Sequence, residues 1–139
     1  MRLLLLLCAG AALCSAEQAC PWMNEATASG ILGGSAKATA KKGDCEFAAA
    51  EGKLRIDVAV TPEATQHFAS LKVKCGADAK ELPAIGNEAV ACLAHGSERV
   101  IGRVRDQVFI ITLRMKGAEP EALFDKSRFA AEQVSGILF

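Results

Sequence analysis

Residues 88–115 read EAVACLAHGSERVIGRVRDQVFIITLRM, and this stretch decides the fold. Apolar and polar residues alternate through three runs, as is typical of half-buried β-strands. The runs are about 88–95, 98–105 and 107–115. Turns at Gly96-Ser97 and Asp106-Gln107 separate the runs, so the sequence predicts a three-stranded antiparallel meander. The residues expected on its core face are Leu93, Val100, Ile111 and Leu113.

The opposite face of the meander carries arginines. The predicted turns place Arg99 directly opposite Arg114, with Arg103 on the same face. Glu88 would pair with Arg105, which neutralises that arginine. Like charges placed opposite each other cost energy unless an anion or carboxylates lie between them. Arg99, Arg103 and Arg114 are therefore a candidate face for an anionic ligand or partner, and a solvated face with local salt bridges is the alternative.

The chain before the meander predicts two helices and a β-hairpin. Asn24 is a suitable N-cap for a short helix over residues 24–32. Residues 44–60 alternate around Glu51-Gly52, which predicts a hairpin with a two-residue turn. A proline near the start and helical spacing of apolar residues predict a second helix over residues 62–72.

Polar segments connect these elements. Residues 35–43 carry three lysines, and we expect a loop with an edge strand there. In the hairpin, the predicted turn places Glu46 opposite Asp57, a pair that is unfavourable unless it is solvated, bulged or bound to a cation. Because the arginine-bearing face of the meander also carries apolar residues, we expect the 75–87 loop to cover part of it.

The chain closes with a helix that begins near Glu121 or Asp125 and runs to about Leu138. Its expected core residues are Ala130, Val134, Ile137 and Leu138. The element order is then α-β-β-α-β-β-β-α. This order predicts an α+β fold, with three helices packed on an antiparallel sheet of about five strands.

The first sixteen residues have the anatomy of a secretory signal peptide. Arg2 precedes an apolar run over residues 3–13, and Cys14-Ser15-Ala16 supplies small residues for cleavage. The run is shorter than the about 20 apolar residues that span a bilayer. We therefore expect a signal peptide over residues 1–16, a single domain over residues 17–139, and a secreted or periplasmic product that is not inserted in a membrane.

Four cysteines follow the predicted signal peptide: Cys20, Cys45, Cys75 and Cys92. An exported chain favours disulfides, and four cysteines permit three pairings. We favour Cys20–Cys45 and Cys75–Cys92, because each bond would join a segment flanking a helix to a nearby strand. Zinc normally requires close ligand pairs such as C-x-x-C, which the sequence lacks, so we expect no metal site. A nucleophilic thiol is the other alternative.

Composition and motifs exclude several classes of function. The 139-residue chain has 16 basic and 16 acidic residues, and losing Arg2 leaves a net charge near −1. With one tryptophan and no tyrosine as well, the sequence does not predict nucleic-acid binding. The neighbours His95, Ser97 and Glu98 are expected to form a turn, because adjacent residues rarely reach triad geometry. We therefore expect neither an enzyme nor a cofactor.

Three short motifs resemble a group of bacterial exported domains of unknown function. The motifs are CPWMNEA at 20–26 with ILGG at 31–34, GDCEF at 43–47, and LPAIGNEA at 82–89. Many of those domains are lipoproteins, and they are similar in pattern to extracellular sensor domains of membrane Ser/Thr kinases. Ala84 stands where that group commonly has glycine. The resemblance implies a Cys20–Cys45 disulfide and a role in sensing a ligand or partner, and it carries no catalytic residues.

These observations lead to an expected function. We expect an exported, soluble binding or sensing module without a catalytic constellation, whose partner is an unidentified protein or a small anionic ligand. A small exported enzyme such as a hydrolase, a periplasmic inhibitor and a structural envelope protein are the alternatives.

Overall fold

A computed structural model describes residues 19–139, and the predicted signal peptide lies outside them. The described residues form a seven-stranded antiparallel sheet with three helices. The helices are α1 (Glu25–Leu32), α2 (Ala64–Cys75) and α3 (Pro120–Leu138). The strands are β1 (Lys37–Lys41), β2 (Asp44–Ala49), β3 (Gly52–Val60), β4 (Lys80–Glu81), β5 (Glu88–Ala94), β6 (Ser97–Val104) and β7 (Gln107–Met115). The order across the sheet is β1-β2-β3-β7-β6-β5-β4.

The predicted α+β class, the three helices and the antiparallel sheet are confirmed, but the count of about five strands is wrong. The two additional strands, β1 and β4, lie at the two edges of the sheet. β1 falls in the segment where the sequence predicts an edge strand. β4 has two residues, which is too short for any alternation to be visible in the sequence.

Each of the three predicted hairpin turns lies one residue before its predicted position. They are Ala50-Glu51, His95-Gly96 and Arg105-Asp106. Moving a two-residue turn by one position changes every cross-strand partner by two residues, so each side chain keeps its face and meets a different partner. Phe47, for example, lies opposite Leu54.

One face of the sheet, here the core face, is covered by α1 and α3. Phe47, Val100 and Phe109 from the strands are fully buried there, together with Ala130 and Val134 from α3. These contacts confirm the predicted inward side of the last helix and of the meander. The prediction is wrong for two core residues: Leu93 is 56% exposed and Ile137 is 54% exposed. Leu93 lies near the end of β5, and Ile137 lies on the outer side of α3, whose inner side carries Ala130, Val134 and Leu138.

The other face, here the α2 face, is covered by α2 where it crosses β5, β6 and β7. Phe68 of α2 is buried against Val90, Ile101 and Val108. The sequence predicts that the 75–87 loop covers part of this face. In the structure, α2 is the principal cover. A helix of twelve residues is about 18 Å long and covers only part of a seven-stranded sheet.

Both predicted disulfides are present. Cys20–Cys45 joins the segment before α1 to β2, and Cys75–Cys92 joins the last residue of α2 to β5. The Cα atoms are 5.7 Å apart in each bond. Each disulfide thus attaches a helix, or the approach to one, to the sheet. Among residues 19–139, no helix is both long enough and apolar enough to cross a membrane.

Candidate functional site

The part of the α2 face that α2 leaves uncovered, here the open face, is a charged surface. It comprises β1, β2 and β3 with the adjoining ends of β6 and β7. Alternation along the strands places its side chains on one side of the sheet. Its basic residues are Lys37, Lys41, Lys53, Arg55, Arg99 and Arg114, and its acidic residues are Asp44, Glu46 and Asp57. Basic groups are therefore in excess, although the whole chain is neutral.

The acidic residues of the open face gather around Arg55. The Arg55 guanidinium donates to both carboxylate oxygens of Asp57, at 3.1 Å each, and lies 3.5 Å from Asp44 Oδ2. The hydrogen bond to Asp57 and the charge of that carboxylate raise the pKa of Arg55. Glu46 lies opposite Arg55 rather than opposite Asp57 as predicted, and Asp57 lies opposite a different carboxylate, that of Asp44. Arg55 thus offsets part of the charge of these two facing carboxylates.

Four of the other basic residues form what we name the basic cluster: Lys37, Lys53, Arg99 and Arg114. The fifth, Lys41, lies opposite Asp44 and is not part of it. Lys53 of β3 lies directly opposite Arg114 of β7, a position in which Cβ atoms are about 4.5–5.5 Å apart. Arg99 lies opposite Thr112 and is therefore diagonal to Arg114, not opposite it as predicted. Lys37 lies on β1, and strand β2 separates it from Lys53 on β3.

The charges of the basic cluster are poorly compensated. Arg114 donates to Ser97 Oγ and to the His95 carbonyl, both at 3.2 Å, and both acceptors are neutral. The Lys53 ammonium is 3.7 Å from Glu46, with side chains 67% and 42% exposed. An exposed pair of this kind contributes little. The hydrogen bonds orient Arg114 while leaving its charge available to an incoming anion.

Arg103 does not belong to the basic cluster. Its Nε donates to Glu88 Oε2 at 2.7 Å, and its Nη1 donates to the Arg105 carbonyl at 3.0 Å. Glu88 thus pairs with Arg103 and not with Arg105, because the β5–β6 turn comes one residue earlier than predicted. Of the predicted arginine face, the structure brings Arg99 and Arg114 together and pairs Arg103 elsewhere.

Sequence reasoning missed Lys37 and Lys53. Alternation within β1 and within the β2–β3 hairpin assigns each lysine to a face of its own strand. It does not reveal that β3 pairs with β7, which is the contact that brings Lys53 to Arg114. Both histidines, His67 and His95, are exposed. In the part of the chain that the structure describes, no group of three or more His, Cys, Asp or Glu side chains could hold a metal ion.

Comparison with known proteins adds a likeness of fold. No protein-family model matches the chain, and no curated protein matches it. Among solved structures, the chain is similar to a GTP-binding regulator from Thermotoga maritima, with a TM-score of 0.50 and 10% sequence identity. The match covers 86% of this chain and 93% of that one. At this identity the likeness shows a shared fold alone, and the resemblance to exported sensor domains stays a prediction.

Proposed function

We propose that the protein is an exported binding module whose basic cluster binds an acidic segment of a partner protein. The observation that carries this proposal is the cross-strand pair of Lys53 and Arg114. Two like charges directly opposite each other on a sheet destabilise it. An anion that lies between the two groups relieves the repulsion, so binding energy is available at this position.

The breadth of the basic cluster favours an extended partner over a small anion. Lys37 lies on β1 and Arg99 on β6, four strand positions away in the order of the sheet. At about 4.8 Å per strand, this separation is about 19 Å. A phosphate or sulfate ion contacts only one end of such a row, whereas successive carboxylates of an acidic peptide reach all of it.

The two disulfides support the exported part of the proposal. Disulfides persist in secreted and periplasmic proteins and are rare where thiols are kept reduced. The signal-like pattern of residues 1–16 is an independent feature of the sequence that agrees with them. An acidic partner segment would then be met outside the cytoplasm.

A labelled octaglutamate peptide tests the proposal by fluorescence anisotropy against the oxidised chain of residues 17–139. The variant is Lys53→Ala/Arg99→Ala/Arg114→Ala. At about 0.5–1 kcal/mol per exposed charge contact, the loss of three contacts should weaken binding roughly 10- to 150-fold. Raising the salt concentration should weaken binding to the unmodified chain and have a smaller effect on the variant.

The matched control is Arg103→Ala/Arg105→Ala/Arg128→Ala, which removes the same total charge from outside the basic cluster. It should change the affinity less than threefold. Equal losses in the two triple variants would show that net charge, and not the basic cluster, attracts the peptide. Binding to anionic phospholipid vesicles or to duplex DNA without binding to octaglutamate would also contradict the proposal.

A further inference from the structure

A cleft of about 600 Å³ lies on the core-face side, where the N-terminal end of α3 meets β4, β5 and β6. It is separate from the open face. Its charged and aromatic lining residues are Asp78, Lys80, Glu98, Glu121, Phe124 and Asp125. Four carboxylates against one lysine give the cleft an excess of negative charge.

Glu98 is the residue of this cleft that the fold does not explain. It occupies a core-face position on β6, two residues before Val100, and is only 5% exposed. Only burial and the charge of Lys80 act on the pKa of its carboxylate, with no hydrogen bond from residues 19–139. Because no fully buried side-chain oxygen in this part of the chain lacks a partner, the Glu98 oxygens keep some exposure. Glu98 is also one of the residues that line the cleft. Burying a charged group without a partner is costly, so a partner from outside the chain would stabilise it.

Lys80 shows which kind of group the cleft accommodates. Its ammonium lies 4.8 Å from the centroid of the Phe124 ring, which is a cation–π contact. Burial raises the pKa of Glu98, and the charge of Lys80 partly opposes that effect. Lys80 thus lies against the aromatic wall of the cleft, and it acts on Glu98 through its charge, without a hydrogen bond between the two side chains.

We propose that this cleft binds a small organic ammonium ion, which donates a hydrogen bond to Glu98 while its alkyl chain lies against Phe124 and Leu93. A ligand with an alkyl chain fits better than a metal ion, because apolar surface lines the cleft and no three-ligand metal cluster exists among the described residues. Glu121 and Asp125 lie in the first turns of α3, where acidic residues are common for helix stability. Glu98 has no such explanation, and it carries the inference.

Putrescine (1,4-diaminobutane) is the probe, and 1,4-butanediol of the same length is its neutral control. Titration of the ¹⁵N-labelled, oxidised chain should shift amides of β5, β6 and the start of α3 with putrescine and not with the diol. Glu98→Gln keeps the shape and removes the charge, and it should weaken putrescine binding at least tenfold. Glu132→Gln removes the same charge from an exposed position on α3, and it should change the affinity less than twofold.

Three results would overturn the inference. They are equal binding of the diol, equal losses in Glu98→Gln and Glu132→Gln, or an unchanged Glu98 pKa on saturation with putrescine. An ammonium ion stabilises the ionised carboxylate, so putrescine should lower the pKa of Glu98, measured by ¹³C NMR of its carboxyl carbon. Affinity should accordingly fall as the pH is lowered through that pKa. The other charged groups that line the cleft are Asp78, Lys80, Glu121 and Asp125.

A second variant, Lys80→Met, removes the resident cation and should tighten putrescine binding several-fold. Unchanged or weaker binding in Lys80→Met would count against the inference, because the cleft would then not be selective for positive charge.

Discussion

Arg114 is the side chain of the proposed site that the structure holds most firmly in place. Two neutral acceptors, Ser97 Oγ and the His95 carbonyl, fix its guanidinium at the end of the β5–β6 hairpin. A guanidinium has five N–H donors, and two hydrogen bonds leave the others free. A positioned arginine loses less conformational entropy on binding than a mobile one, so Arg114 is the residue of the basic cluster best placed to anchor an acidic partner.

The backbone conformation of Ala84 leads to a prediction about stability. Its φ angle is 68°, in the left-handed region where glycine is favoured. A non-glycine residue in this region costs about 1–2 kcal/mol of backbone strain, which glycine would remove. Glycine also increases the entropy of the unfolded chain, and this offsets about 0.4–1 kcal/mol of the stability gained. Since Ala84 is exposed, Ala84→Gly should raise the free energy of unfolding by roughly 0.5 kcal/mol.

Urea denaturation of the oxidised chain measures this change. Ala48 is also exposed but lies within β2, so Ala48→Gly is the matched control and should lower stability by about 0.5–1 kcal/mol. Destabilisation of similar size in both variants would show that the backbone of Ala84 is not under strain.

The limits of sequence reasoning at the residue level are visible at the turns. His95 and Arg105 adopt φ angles of 51° and 57°, although neither is glycine, asparagine or aspartate. Typical turn residues occupy the positions after them, so the sequence predicts each of these turns one residue too late. In the β2–β3 hairpin, Gly52 attracts the predicted turn but belongs to β3, where the Arg114 carbonyl leaves no space for a side chain.

Among the elements, α2 depends on a covalent attachment. Its N-cap Glu63 makes no side-chain capping hydrogen bond, and only Ala64 and Phe68 of the helix are fully buried. The Cys75–Cys92 bond holds its last residue against β5, beside Arg99 on the next strand. The boundary between the covered and the open parts of the α2 face is fixed by this disulfide.

The variant Cys75→Ala/Cys92→Ala should lower the free energy of unfolding by about 3 kcal/mol. The reason is that the disulfide reduces the conformational entropy of the unfolded chain by about that amount. Hydrogen exchange should accelerate in α2 more than in α3. The comparison variant Cys20→Ala/Cys45→Ala should instead affect α1 and β2. A loss below about 1 kcal/mol with unchanged exchange in α2 would contradict this role of the disulfide.

Element types are well predicted from the sequence because the signals are local. Asn24 caps α1 as expected, with its Oδ1 accepting from the Thr27 amide at 2.7 Å, and Gly33 ends the helix with a φ of 72°. The edge strand β1 is harder to predict. Its attachment depends on Glu25 and Ser29 of α1, whose side chains accept hydrogen bonds from the Ala38 and Ala36 amides.

For the whole molecule, uneven coverage of the sheet creates the candidate site. Two helices cover the core face, and one short helix covers part of the opposite face. The pairing of β3 with β7 joins the first hairpin to the meander, and it brings together residues sixty-one positions apart, Lys53 and Arg114. Such a non-local contact leaves no trace in local alternation. The sequence therefore indicates the arginines of the site but neither its lysines nor its extent.

Chemical-shift mapping of octaglutamate on the ¹⁵N-labelled, oxidised chain tests the central claim most directly, namely that the open face is the binding surface. The largest shifts should fall on β1, β3 and β7, around Lys37, Lys53 and Arg114, and should disappear in Lys53→Ala/Arg99→Ala/Arg114→Ala. Shifts confined to the outer surfaces of α2 or α3, or shifts that persist in the triple variant, would contradict the account.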